Sequence, residues 1–112
     1  MVRVVDISDK PEVPRTAHAS GFIRLKPETL RKVKAGKVPK GDVLAVAQTA
    51  AILAVKRTPE LVPLTHMISV TGTDVDFKLE KDGIRVDVKV KSTGQTGVEM
   101  EALVTVSTAL LT

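Results

Sequence analysis

Around Asp82-Gly83 the chain alternates apolar and charged residues so regularly that one local structure dominates. Asp-Gly is a favoured two-residue hairpin turn. With that turn as the loop, Lys81 pairs with Ile84, Leu79 with Val86, Phe77 with Val88 and Val75 with Val90. All but the first set apolar against apolar on one face. The opposite face then pairs Glu80 with Arg85, Lys78 with Asp87, Asp76 with Lys89 and Asp74 with Lys91, each pair opposite in sign. Cross-strand ion pairs contribute only ~0.2–1 kcal/mol each. Burial holds the register more firmly, because a one-residue slip turns every apolar side chain to the wrong face. The hairpin predicts a sheet with one wet, charged face and one face covered by helices.

The covering helices are legible on either side of it. Upstream, Val2, Val4, Val5 and Ile7 open the chain, and Asp9 to Pro14 break it into an irregular connection. Phe22, Ile23 and Leu25 then give a short extended segment. Pro27 and Glu28 suit a first helical turn, Leu30 and Val33 form a narrow apolar stripe, and Gly36 is a stop. Asp42 starts a second helix, Val43 to Val55, that is apolar on nearly every side and is predicted to be buried all round. Thr58-Pro59-Glu60 reads as a cap, a first-turn proline and an N-terminal acid for one more turn, closed by Pro63. After the hairpin, Lys91 to Gly97 reads as a polar turn leading into a helix from about Val98. Strand, helices, hairpin, helix is the order of an α+β two-layer sandwich, an antiparallel sheet with helices on one face. It is a ferredoxin-like plan with the last strand missing, and residues 1–112 read as one domain.

Composition narrows the function. There are two Phe, no Tyr and no Trp, so the core is aliphatic and base stacking on aromatic side chains is unavailable. Nucleic acid is therefore not an expected partner. With no Cys and two distant His, neither a metal site nor a cofactor is expected. No apolar run reaches the ~20 residues that span a bilayer, and no signal-peptide pattern opens the chain, so the expectation is no membrane and a cytoplasmic place. The net charge of +4 fits an anionic ligand such as a phosphate compound, although basic surfaces are commonly just solvated.

Few residues can carry chemistry. His66 precedes the first hairpin strand and is a candidate acid–base group, while His18 reads as a surface residue. Lys40-Gly41-Asp42 places a lysine beside a glycine at a helix N-terminus, a reasonable phosphate contact. Thr93 to Gly97 is a second anion-friendly turn at a helix start. Glu99 and Glu101 bracket Met100; two residues apart on a helix they point in different directions, and both favour the helix dipole.

These stretches together are far more specific than any one of them. Val5-Asp6-Ile7-Ser8, Lys40-Gly41-Asp42-Val43, Ala54 to Leu64, His66 and Lys91 to Leu103 occur in one collinear order. The Thr96-Gly97-Val98-Glu99-Met100-Glu101-Ala102-Leu103 run is the most diagnostic. In these features the chain resembles the MoaC family, the cyclic pyranopterin monophosphate synthases of molybdenum-cofactor biosynthesis. The resemblance implies a ferredoxin-like subunit in a homo-oligomer, a hexamer built from dimers, with sites between subunits. It implies a lyase that converts a cyclic dihydroguanosine triphosphate derivative to cyclic pyranopterin monophosphate and pyrophosphate. Carried over by position, Lys40 and His66 fall at catalytic positions, Glu99, Met100 and Glu101 in the substrate-contacting motif, and Arg15 at a basic position near the phosphates.

Two departures accompany the match. The family pattern reads Leu-Cys-His-Pro where this chain has Leu64-Thr65-His66-Met67. After the last helix the family continues into an Asp-Met-x-Lys segment, a final strand and a Lys-Ser-Gly-Gly loop, none of which is in these residues. The alternative reading is a catalytically impaired or engineered self-assembling scaffold of the same fold.

Overall fold

The computed structural model describes residues 2–63, 65–66 and 68–112. In chain order the elements are β1 (Val13–Arg24), α1 (Pro27–Ala35), α2 (Val43–Val55), α3 (Thr58–Leu61), β2 (Val70–Glu80), β3 (Gly83–Gly94) and α4 (Glu99–Leu111). β3 lies between β1 and β2 and runs antiparallel to both. Among the described residues this makes a three-stranded antiparallel sheet with four helices, the α+β arrangement of a ferredoxin-like fold lacking a strand.

Alternation along β3 builds the core. Val86, Val88 and Val90 turn to one side, level with Gly21, Ala19 and Ala17 of β1 and with Phe77, Val75 and Thr73 of β2. Ala51 and Val55 of α2, Val98, and Ala102, Val106 and Ala109 of α4 close over that face. Small residues in β1 let α4 come close: a β-carbon at Gly21 would stand 2.6 Å from Cδ1 of Leu110. The same small residues explain why the strand is longer than Phe22 to Leu25 suggests. Its period-2 pattern runs through Ala17, Ala19 and Gly21 rather than through large hydrophobic residues, and Pro14 is tolerated because β1 is an edge strand of the described sheet. Residues 2–12 form neither helix nor strand.

The hairpin forms in a register two residues away from the predicted one. Leu79 faces Ile84, Phe77 faces Val86 and Val75 faces Val88, with Lys81 and Asp82 at the turn. Gly83 belongs to β3, and the third strand requires it there: a β-carbon would collide with the carbonyl oxygen of Ile23 and the ring of Phe22. The Leu25 N–H extends that pairing by donating to the Asp82 carbonyl at 3.0 Å. An even shift keeps every side chain on its face, so the apolar pattern cannot detect it. The charged face is what changes. Lys78 now lies opposite Arg85 and Asp76 opposite Asp87, while Asp74 exchanges its predicted partner Lys91 for another lysine, Lys89. Arg85 recovers the predicted partner along the diagonal, its Nε 3.1 Å from Oε1 of Glu80, and it also stands 5.8 Å from the centre of the Phe22 ring.

The helices follow their sequence signals with three corrections. α1 begins at Pro27, buries Leu30 and stops at Gly36, whose φ of 68° is left-handed. α2 starts after Asp42, whose carboxylate accepts from the Ala45 N–H at 3.1 Å. Only Ala47, Ala51, Ala54 and Val55 of α2 are buried, however; Val46 is 40% and Leu53 54% exposed. Thr58 is not a cap but lies inside α3, with its hydroxyl donating back to the Val55 carbonyl at 3.1 Å, one of the orphan acceptors at the end of α2. The predicted turn from Lys91 is shorter, because β3 extends to Gly94 against Val13. No helix among the described residues is long and apolar enough to cross a membrane.

Candidate functional site

At the end of the sandwich where β3 gives way to α4, two distant stretches meet. Gln95 to Val98 turn the chain into α4, and residues just before β2 come alongside. Between them is a cavity of about 180 Å³ whose polar lining includes Thr65, His66, Thr96, Glu99 and Glu101. Met100, Ile68 and Gly97 complete its wall. Four of the six residues singled out in the sequence, His66, Glu99, Met100 and Glu101, thus share one space.

The two glutamates differ as their helical spacing predicts. Glu99 is exposed, whereas Glu101 is turned inward and only 3% exposed. Burial pushes the Glu101 carboxyl above the ordinary carboxylate range; its own backbone N–H opposes that shift and the Glu99 charge adds to it. The exposed Glu99 complements the positive end of α4; Glu101 does so from a dry position. A buried acid with a raised pKa that shares a cavity with an imidazole can pass a proton to or from a bound molecule.

His66 is half-buried, and its Nε2 lies 2.5 Å from the Val5 carbonyl oxygen. Leu64 and Met67, on either side of the Thr65-His66 pair, lie outside the described residues. Arg15 stands on the inner face of β1, opposite Ser92, and its Nε donates to the Gly94 carbonyl at 3.1 Å. That puts the guanidinium beside the turn into α4 but outside the cavity wall. His18 faces the other side of the sheet, level with Lys89, and is exposed as expected.

Lys40 is elsewhere. Its Nζ donates to the Thr112 carbonyl at 2.6 Å, beyond the far end of α4, and it lines a separate, apolar cavity with Ile23, Phe77 and Leu110. Thirteen helical residues, about 20 Å, separate that end from Glu99. At the N-terminus of α2 beside Lys40, the Asp42 carboxylate accepts one of the first-turn N–H groups, that of Ala45.

Three features of this end had no sequence signal that was read as functional. Gln95 donates from Nε2 to the carbonyls of Ser8 at 3.3 Å and Lys10 at 2.9 Å, tying down the opening segment. Asp6 accepts from the Ser8 N–H at 2.9 Å, which holds its carboxyl below the usual range; the His66 charge contributes a smaller part in the same direction. Ser92 ends the inward valine row of β3, and its buried hydroxyl has no hydrogen-bond partner among the described residues. Among the described residues, no group of three or more His, Asp or Glu could hold a metal ion.

Comparison with known proteins gives this arrangement a context. The sequence profile of the MoaC family matches residues 4–112. A protein of Methanococcoides burtonii, named a probable cyclic pyranopterin monophosphate synthase, is 58% identical over 109 residues, covering 97% of this chain and 69% of that protein. A cyclic pyranopterin monophosphate synthase of Thermoanaerobacter sp. is 52% identical over 112 residues, covering 98% of this chain and 71% of that protein. A protein of Methanothermobacter thermautotrophicus, 53% identical over 111 residues and covered to 70%, is named a probable cyclic pyranopterin monophosphate synthase accessory protein.

Proposed function

The chain belongs to the MoaC family, and from that we propose that it acts in molybdenum-cofactor biosynthesis on a guanosine-triphosphate-derived substrate. The reaction is the conversion of a cyclic dihydroguanosine triphosphate derivative to cyclic pyranopterin monophosphate with release of pyrophosphate. The observation that carries this reading is the meeting of His66 with Glu99, Met100 and Glu101 around one cavity, although they come from stretches far apart in sequence.

In this reading His66 and Glu101 move protons during the ring rearrangement. Glu101 suits the task because burial raises the pKa of its carboxyl, so that it holds a proton more tightly than an exposed glutamate does. Glu99 and Met100 contact the substrate from the first turn of α4. Arg15 and Lys40 supply the cations that a triphosphate needs. A cavity of about 180 Å³ is smaller than the ~300–1,000 Å³ of typical ligand sites. Lys40 sits too far away to enter it within one chain. Both facts favour a site completed by a second copy, with Lys40 of one chain serving the His66 corner of another. Exposed Leu53, Leu61 and Leu103 on the helical side give such a homo-oligomer apolar surface to bury. We place this activity in one domain and in the cytoplasm.

Turnover of the purified substrate by the wild-type chain tests the reading directly, with product and pyrophosphate both measured. His66→Gln and Glu101→Gln are each expected to lower kcat by about 10²–10⁴-fold, the usual worth of a positioned acid–base group. Absence of product from the wild-type chain at high concentration overturns it. That result would favour the second reading, a non-catalytic scaffold of the same fold.

A further inference from the structure

The opening segment has no secondary structure, yet its course is fixed by side chains from the other side of the molecule. Val5 offers its carbonyl to Nε2 of His66. One residue on, Asp6 takes the Ser8 N–H with its carboxylate, and the Lys10 N–H closes a turn onto the Ile7 carbonyl at 3.0 Å. That turn presents the Ser8 and Lys10 carbonyls together to the amide of Gln95, whose two N–H groups donate one to each. Residues 5–10 therefore form a strap fastened at one end to His66 and at the other to Gln95, next to the turn that opens α4. The strap's side chains do little of this holding: Val5 is 67% exposed, and the bonds to His66 and Gln95 run through backbone oxygens.

A carbonyl oxygen can only accept, so the imidazole nitrogen that faces it must carry a hydrogen. In a neutral imidazole the other nitrogen is then left with its lone pair. We propose that the strap is a positioning element for His66: the Val5 carbonyl holds the ring as the Nε2–H tautomer, Nδ1 is left as the nitrogen that exchanges a proton with a molecule in the cavity, and Gln95 is the positioning residue that keeps the strap in place. The assignment of Nδ1 to proton exchange rests on the acid–base reading of His66; the tautomer and the role of Gln95 do not. Asp6 supports the arrangement from within the strap, since its carboxylate both shapes the turn and lies close enough to His66 to feel its charge.

Nitrogen-15 NMR of the imidazoles is the test, because the chain contains only two histidines and His66→Gln assigns the signals. Above neutral pH the His66 pattern is expected to be that of a protonated Nε2 and a lone-pair Nδ1. The Nδ1–H pattern, or the partial mixture of both tautomers that the exposed His18 gives, would overturn the proposal without any variant. Gln95→Glu keeps the size of the side chain but replaces the donor by an acceptor that two carbonyls repel. It is expected to shift His66 toward the tautomer mixture and to speed hydrogen exchange at the Ser8 and Lys10 amides by about tenfold. Gln95→Arg, which restores N–H donors, should bring both readouts back toward wild type. Unchanged His66 signals in Gln95→Glu would remove Gln95 from the role. Turnover of the same variants is a separate measurement: a correct tautomer in a chain that makes no product would retain the strap and discard the reaction.

Discussion

Asp76 and Asp87 face each other across the β2–β3 ladder, two carboxylates on one rung of the exposed sheet face. In the register that Asp82-Gly83 suggested, each would instead have faced a lysine. Asp76→Thr removes the like-charge contact and introduces a better strand former, so it is expected to stabilise the fold by about 0.2–1 kcal/mol in urea denaturation. In the other register the same change would delete an ion pair and destabilise. The sign of one measurement separates the two pairings.

Gly83 is required by the crowding of β1 rather than by the turn. Gly83→Ala has to displace the Ile23 carbonyl and the Phe22 ring, an overpacking expected to cost about 1–3 kcal/mol. Hydrogen exchange at the Leu25 amide, which bonds to Asp82, should accelerate along with the loss of stability. A change below 0.5 kcal/mol would contradict the close approach.

The raised Glu101 carboxyl makes stability depend on pH in a definite direction. The folded state binds the proton more tightly than the unfolded state, whose ordinary value is 4.5. Its contribution is therefore fully present below that value and is lost as pH rises through the folded one. Glu101→Gln cannot ionise and escapes the loss. The stability difference between Glu101→Gln and wild type should therefore move in favour of the variant from about pH 4 to about pH 7, read as the shift between their urea midpoints. A difference that moves the other way would mean that the carboxylate is stabilised where it sits.

Lys40 and His66 lie at opposite ends of α4. If they act in one site across two chains, Lys40→Met and His66→Gln are each expected to lose activity alone. Mixing the two variants under conditions that allow exchange of chains should restore part of it. Mixtures no more active than their components would assign both residues to sites within single chains or to no shared site.

How far the sequence could be read depended on what each signal constrains. Caps and breakers act locally, so Pro27, Gly36 and Asp42 mark their helix ends correctly. The hairpin's faces were legible and its register was not, because burial is blind to a shift of two and the deciding contact comes from Ile23 in a third strand. The apolar run of α2 predicts burial on every side, but one chain covers only its alanine face. In the site, the family motif led to Glu99, Met100, Glu101 and His66, and the fold brings them together. Gln95 is not legible in the sequence because its partners are backbone carbonyls of an irregular segment, which leave no pattern in side-chain chemistry.

The pairing of Val13 with Gly94 sets a timetable for synthesis. β1 leaves the ribosome early, but the strand beside it is the second arm of a hairpin made much later. At roughly 5–20 residues per second, β1 must wait on the order of several seconds with its backbone unpaired. A waiting strand built around Ala17, Ala19 and Gly21 offers little greasy surface to a neighbouring nascent chain. The residues that let α4 nestle against the finished sheet also keep its first strand inert while it waits.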